Sequence, residues 1–406
     1  MIEVYSPALD RTVQIDRFIG HIQGNGPGPV IVFFAGIHGN EPAGIFALHQ
    51  VLNELRDNAT PLGGTMYALA GNLWALQHGE RFHREDLNRI WTRERIAAIL
   101  DSEWEEYPGE ETREQAELLH SIQEIISNEQ GPFYFIDLHT TSSRTVPFIT
   151  VNDSLLNRRF TSQYPLPVIL GIEEYLTGPL LSYLNELGYV SFGFEGGSHD
   201  DPGAIRLTRA FIYHSMQLAG IIDNTALRDE NPPGYQLKKA GGSIAGMYEI
   251  THRHVILPGD SFTMHPGFRN FQKVHRGEPL AVYNEAEVAA PAATRLFMPL
   301  YQRQGEDGFF LVRHIPAFFL WLSARLRSLR ADRLLRVLPG VRSSDDNDGI
   351  LIVDLNIARF FTKPFLHLLG YRVREHKPTH LIVRNREAAS RYREYTGEKW
   401  WSDTTS

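Results

Sequence analysis

The sequence predicts an α/β fold: a mixed, mostly parallel sheet sandwiched by helices, followed by a small β-rich domain and a C-terminal α+β appendage. Three observations carry this prediction. Continuous apolar, β-branched runs alternate with amphipathic helical stretches up to about residue 222, as in sheets covered on both faces. From near Asn231 to about Ala317 the chain is punctuated by Pro and Gly and carries short β-prone runs such as MYEITHRHVILPGD and EPLAVYNEAEV. Beyond the polar run SSDDNDG at 343–349, ILIVD, a helix-like stretch and YRVREH…THLIVR form a compact β-α-β-β pattern. The expected units are therefore residues 1–230, 231–317 and 318–406.

Each element has its own justification. Pro29–Ala35 (PVIVFFA) is apolar throughout, as expected of a strand buried on both sides. After the loop GIHGN, residues 41–55 carry apolar side chains at helical spacing. Residues 66–70 read as a strand, 112–127 as a charged amphipathic helix, and FYFIDL at 133–138 as a short buried strand. Residues 189–194 repeat the strand pattern and 203–222 read as a long helix. The stretch 318–342 is helical and rich in arginine; its leucines alternate with Arg325, Arg327, Arg330, Arg333 and Arg336, the pattern of an amphipathic helix with a basic face.

Composition narrows the function. With 42% hydrophobic and 22% charged residues among 406, the chain is an ordinary globular protein rather than a disordered or coiled-coil one. Forty basic against forty-eight acidic side chains give a net charge of −8, which offers no support for nucleic-acid binding. The absence of cysteine excludes disulfides, thiolate metal ligands and a Cys nucleophile. The N-terminus MIEVYSPALDRTV lacks the basic start and apolar run of a signal peptide. The longest apolar stretch, 315–322, falls far short of the roughly 20 residues that span a bilayer. A cytoplasmic protein that is not membrane-bound is expected. Seventeen histidines direct attention to metal chemistry.

Three segments at the ends of apolar strands carry metal-competent or acid–base residues, and ligands of open α/β sheets collect at such carboxyl ends. In GIHGNEPAG, His38 and Glu41 can converge on one cation, with Gly36 and Gly39 permitting a sharp backbone path. His139 directly follows FYFIDL. Two histidines and one carboxylate make the three-ligand set of a catalytic zinc with an open position. In FGFEGGSHDDPG, Glu195 is placed to take a proton from a metal-bound water, while His199 is a rival ligand. Between these segments lies GERFHREDLNRIW. There Arg89, with Asn88 beside it, can grip a carboxylate, Arg81 can face an oxyanion, and Asp86 can orient a liganding imidazole.

The motifs HGNE, R-x-x-x-x-D-L-N-R, DLHT and a Glu before Gly-rich text occur in that order over residues 30–200. Together they resemble the succinylglutamate desuccinylase/aspartoacylase family of carboxypeptidase A-like zinc hydrolases. HPGFRNFQKVHRGEPL also resembles that family's C-terminal β domain, extending the likeness to about residue 315. The resemblance implies one Zn2+ per chain held by His38, Glu41 and His139, with Glu195 as general base and acid. It implies Arg81 as the oxyanion-stabilising arginine, Asn88 and Arg89 as the clamp on the substrate carboxylate, and Asp86 as the carboxylate behind the first histidine. Tyr301 matches a substrate-contacting tyrosine from the β domain, which would cap the active site. The implied reaction is amide hydrolysis by metal-activated water, removing an acyl group from a small N-acyl amino acid. The resemblance also implies an arginine shortly before the catalytic Glu that holds a second substrate carboxylate. LLSYLNELGY contains none, so neither N-acetylaspartate nor N-succinylglutamate is the expected substrate.

The competing reading is a metallocarboxypeptidase acting on a peptide or cell-wall stem, with the same clamp on a C-terminal carboxylate. A cleft capped by the β-rich part would admit small molecules, and an open groove peptides. A pseudoenzyme working through its tail is disfavoured by the complete ligand set and Glu195. His252, His254, His265 and His275 lack a carboxylate companion at useful spacing and do not make a second metal site. The basic face at 325–336 reads as solvated surface or an interface, and residues 318–406 as a candidate homo-oligomerisation module, lid support or binding unit.

Overall fold

The computed structural model describes residues 1–101, 109–223, 231–343, 349–358, 363–377 and 379–403. The strands of the first half are β1 (Ile2–Ser6), β2 (Arg11–Ile15), β3 (Phe18–Ile22), β4 (Val30–Ala35), β5 (Thr65–Ala70), β6 (Phe133–Thr141), β7 (Phe148–Val151), β8 (Pro167–Leu170) and β9 (Val190–Ser198). Then come β10 (Gly246–Val255), β11 (Phe262–Met264), β12 (Lys273–Val274), β13 (Pro279–Tyr283), β14 (Ala286–Ala289), β15 (Thr294–Phe297) and β16 (Asp307–His314). The last are β17 (Val341–Ser343), β18 (Ile350–Asp354), β19 (Tyr371–His376) and β20 (His380–Asn385). The helices are α1 (Ala43–Asp57), α2 (Leu73–His78), α3 (Arg93–Asp101), α4 (Glu110–Asn128), α5 (Leu155–Thr161), α6 (Leu180–Glu186), α7 (Pro202–Leu218), α8 (Pro233–Gly241), α9 (Ala317–Ser328), α10 (Lys363–Leu368) and α11 (Lys399–Asp403).

An 11-stranded mixed sheet runs β12-β15-β16-β10-β8-β7-β9-β6-β4-β5-β3. Its centre explains the apolar run at 30–35. Successive strand residues point to opposite faces, so Ile31, Phe33 and Ala35 join a core with α1 and α7, while Val30, Val32 and Phe34 pack under α3 and α4. Burying each phenylalanine contributes roughly 1.5–3 kcal/mol, which is why neither face tolerates a polar residue here. The strands β5, β4, β6 and β9 are mutually parallel, so their carboxyl ends lie side by side. That placement builds the site.

Beyond β8 the sheet does not stop at the composition change near residue 231. β10 pairs in parallel with β8, and β16 and β15 continue antiparallel from it, so much of the β-rich segment extends the same sheet. A separate three-stranded sheet, β11-β13-β14, packs beside it. The C-terminal part holds a four-stranded antiparallel sheet, β17-β18-β20-β19, with its own core of Leu351, Val353, Leu366, Tyr371, Leu381 and Val383. Residues 344–348, most of the expected polar turn, lie outside the described residues. The final stretch returns to the main core: Tyr395 and Trp400 are buried in it, and Trp400 Nε1 donates to Tyr134 OH at 2.8 Å.

The arginine-rich stretch departs from a simple solvated face. Arg327 is fully buried, with its guanidinium on Asp153 (2.9 Å) and Glu387 (3.2 Å). One face of α9 is thus an internal interface between the appendage and the main sheet. Periodicity alone marks a basic face but not what covers it.

Candidate metal centre

His38 and Glu41 sit in the loop joining β4 to α1. The helix begins at Ala43, so Glu41 precedes it rather than opening it. Gly36 adopts φ +70°, and a Cβ on Gly39 would fall 2.0 Å from the Ala75 backbone, so both positions require glycine. His139 and Glu195 are strand residues rather than loop residues. β6 and β9 run on past the apolar stretches, and His139 pairs in register with Glu195. The parallel register thereby sets these two side chains next to each other.

The imidazoles converge on one carboxylate. His38 Nδ1 lies 2.9 Å from Glu41 Oε1, and His139 Nδ1 lies 3.0 Å from Glu41 Oε2. The opposite ring nitrogens are held as well. His38 Nε2 meets Asp86 Oδ1 at 2.9 Å, and His139 Nε2 meets Asp137 Oδ2 at 2.7 Å. Glu41 Oε2 accepts a further hydrogen bond from the Thr140 backbone N–H at 3.0 Å. His38, Glu41 and His139 each offer a ligand atom, all within 4.8 Å of one another; this is the only such group found among the described residues. His252 and His254 instead lie among aromatic rings, with His254 stacked on Phe309.

The donor chemistry fits a divalent cation. A neutral imidazole has one N–H, and Asp86 and Asp137 draw it to Nε2. Both Nδ1 lone pairs would then face the Glu41 oxygens, an arrangement stable only with protons or a cation at the point of convergence. The charges bear this out. Burial opposes ionisation of Glu41, but His38 and His139 outweigh it and hold the carboxyl well below its ordinary range. Burial likewise disfavours a charged His139, yet Asp137 and Glu41 hold its proton affinity well above the ordinary imidazole value.

Glu195 has the opposite character. It is 6% exposed, and its Oε2 has no hydrogen-bond partner. Burial, reinforced by the negative charges of Glu41 and Asp137 against the pull of His139 and Arg81, pushes it up to about 8. Arg81 reaches Glu41 Oε1 (3.2 Å) and Asp86 Oδ2 (3.3 Å), placing its guanidinium at the edge of the cluster. Asp86 accepts from the Asn88 backbone N–H at 2.8 Å, which fixes the turn Leu87–Arg89. Asn88 Oδ1 accepts from Leu180 N–H at 3.0 Å, and Arg89 lies 3.5 Å from Asp307.

His38, Glu41, Arg81, Asp86, Asn88, Arg89, His139 and Glu195 line one cavity of about 420 Å3, together with Met298, Leu300, Gln302 and Asp307 from the β-rich part. Two sequence candidates fall outside the converging set. His199 also lines the cavity but is turned to Thr140 Oγ1 (2.8 Å) and Gln302 (3.1 Å), outside the converging set. Tyr301 does not line the cavity; its hydroxyl donates to His265 O (2.7 Å) and accepts from Phe268 N–H (3.1 Å). Sequence reasoning missed Asp137 and Asp307. Asp137 had a signal, since D-x-H on a strand puts both side chains on one face. Asp307 had none nearby, being more than two hundred residues from the loop it meets.

Residues 27–198 match the model of the succinylglutamate desuccinylase/aspartoacylase catalytic domain. Succinylglutamate desuccinylase from Serratia proteamaculans is 33% identical over 110 residues, 27% of this chain and 31% of that protein. The enzyme of that name from Pseudomonas paraeruginosa is 32% identical over 110 residues, 27% and 30% of the two lengths. The chain thus spans about a third of the length of the curated relatives it matches. Among solved structures, succinylglutamate desuccinylase from Vibrio parahaemolyticus superposes with a TM-score of 0.53 at 14% identity, covering 73% of this chain and 86% of that one. A succinylglutamate desuccinylase/aspartoacylase from Rhodobacter sphaeroides gives 0.53 at 17% identity, covering 73% and 88%. At such identities the likeness is one of fold. Residues 27–198 are thus similar to the catalytic domain of the succinylglutamate desuccinylase/aspartoacylase family.

Proposed function

We propose that the protein is a zinc-dependent amide hydrolase that removes the acyl group from an N-acyl amino acid or a related small amide. One observation carries the reading: two imidazoles, each backed by a carboxylate, aim their remaining nitrogens at Glu41, with a buried, half-unpartnered Glu195 in register beside His139. In this reading His38, Glu41 and His139 hold one Zn2+. Bound there, the ion supplies Lewis acidity, which acidifies water and polarises an amide carbonyl.

The chain's own groups do the rest. Asp86 and Asp137 fix the tautomer and orientation of the two imidazoles. Glu195 takes a proton from the attacking water and returns it to the leaving amine; with its proton affinity near neutrality it serves both as base and as acid. Arg81 offers N–H donors where negative charge develops on the carbonyl oxygen. Arg89 grips the substrate carboxylate, and Asn88, its oxygen occupied by Leu180 N–H, turns its amide donors outward. Residues 1–230 are the catalytic unit and 231–317 the cap. Met298, Leu300, Gln302 and Asp307 contribute to the lining of a cavity of about 420 Å3, a size that favours a small substrate over a peptide.

The test is a hydrolysis panel of N-acyl amino acids and short peptides with metal analysis alongside. Glu195→Gln should retain its metal while kcat falls about 10²–10⁴-fold. His139→Ala should lose both. Turnover at the wild-type rate by Glu195→Gln would remove the acid–base assignment, and exclusive peptide cleavage would replace the deacylase with a carboxypeptidase.

A further inference from the structure

Hydrocarbon forms part of the cavity's wall: Ile172, Leu176, Leu181, Met298 and Phe310 line it together with the polar set. This wall is rigidly backed. Phe310 is buried in an aromatic cluster with Phe148, Phe271 and Phe297, and Ile172, Leu176 and Met298 pack against the same cluster. Close-packed cores of this kind hold side chains in place.

The apolar wall adjoins the carboxylate clamp. Leu176 stands two residues before Gly178, whose carbonyl accepts Trp91 N–H at 3.0 Å. A Cβ on Gly178 would lie 2.3 Å from Arg89 O, so the two backbones touch. From the other side, Asp307 pairs with Arg89 and begins β16, the strand that carries Phe310. A carboxylate held by Arg89 therefore has apolar surface beside it.

Cations for a second carboxylate are scarce. Arginines 81, 84 and 89 line the cavity. Arg81 is committed to Glu41 and Asp86, and Arg84 is an exposed residue of the polar loop, followed directly by Glu85. The segment 180–189, just before β9, contributes Leu181 to the cavity. A second carboxylate against this wall would lose its water without gaining a charged partner.

We infer that the site prefers N-acyl amino acids with an apolar side chain and a single carboxylate over acidic ones such as N-acetylaspartate. The inference rests on the deacylase reading and adds the side-chain class to it. The experiment compares kcat/KM of the zinc-loaded full chain for N-acetyl-L-leucine, N-acetyl-L-methionine and N-acetyl-L-aspartate, with calorimetric binding of the same three compounds. The expected result is a preference of about tenfold or more for the apolar pair, the scale at which apolar pockets discriminate. Leu176→Arg should shift the ratio toward N-acetyl-L-aspartate, and Met298→Ala should lower kcat/KM for the apolar pair alone. A wild-type preference for N-acetyl-L-aspartate overturns the inference and leaves the deacylase reading intact; its loss in Arg84→Ala would assign the second carboxylate to Arg84. Tighter binding of the apolar pair without turnover of any compound would uphold the side-chain class and sink the hydrolysis. Equal binding of all three, or none, overturns the inference.

Discussion

Replacing Asp153 with asparagine should cost the fold more than any surface ion-pair change. Asp153 is 5% exposed and sits just beyond β7. Its carboxylate accepts from Arg158 (2.8 Å), Arg327 (2.9 Å) and Arg386 (2.6 Å). Burial works against its charge, but the three guanidiniums outweigh burial and hold the carboxyl well below its ordinary range. Asp153→Asn leaves three buried cations facing a neutral amide. Breaking a buried pair from one side costs about 3–5 kcal/mol. At roughly 2 °C per kcal/mol for a chain of this size, thermal unfolding should fall by about 6–10 °C. Circular dichroism and tryptophan fluorescence would follow it, with Arg313→Ala, from the exposed pair with Glu249 (70% and 37%), as the control expected to move less than about 1 kcal/mol. Adding Arg327→Met to Asp153→Asn should recover part of the loss by removing one of the three cations that face the neutral amide. A single-variant effect no larger than the control, or no recovery in the pair, would refute the reasoning.

Two further outcomes follow from the site. Asp137→Asn should weaken zinc affinity about 10–100-fold without unfolding the protein, because it removes the acceptor that fixes the His139 tautomer; competition with a chromogenic chelator measures this. Gly39→Ala places a Cβ 2.0 Å from the Ala75 backbone, so the loop carrying His38 must shift. A stability loss of about 1–3 kcal/mol is expected, with weaker metal binding, read by thermal melts with and without zinc.

The parts of this molecule legible in the sequence are those fixed by local pattern. The apolar run at 30–35 announces a doubly buried strand because both faces are covered. His38, Glu41 and His139 could be gathered on paper because parallel neighbours bring their carboxyl ends together. What local pattern does not encode is partnership across the chain. Arg327 looks like any arginine of an amphipathic helix until Asp153, 174 residues earlier in the chain, covers it. Asp307 closes on Arg89 only because β16 joins the main sheet through β10 and β8, a connection that the composition shift near residue 231 conceals. The glycines after Glu195 resemble a turn, yet pairing with β6 carries the strand to Ser198.

The convergence of His38, Glu41 and His139 dictates how stability should respond to pH. In metal-free protein, His139 has a folded pKa above its unfolded value of about 6.5, so its contribution is full below that pH and is lost as pH rises through the folded value. Glu195, raised to about 8, acts with the same sign, fully present below about 4.3 and lost toward 8. Glu41, held well below its ordinary range, contributes above about 4.3 and loses its contribution as pH falls through the folded value. Chelator-treated protein should therefore be more stable near pH 6 than near pH 8.5. Zinc must bind neutral imidazoles, so raising the pH removes the competing protons and strengthens binding. The stabilisation on adding zinc should accordingly be larger at the higher pH, giving metal-free and zinc-loaded protein different pH slopes. Melts of wild type, His139→Ala and Glu195→Gln at both pH values separate the contributions. If metal-free wild type were as stable near pH 8.5 as near pH 6 relative to His139→Ala, the protons would not be substituting for a cation, and the fit of this donor set to a metal would lose its physical basis.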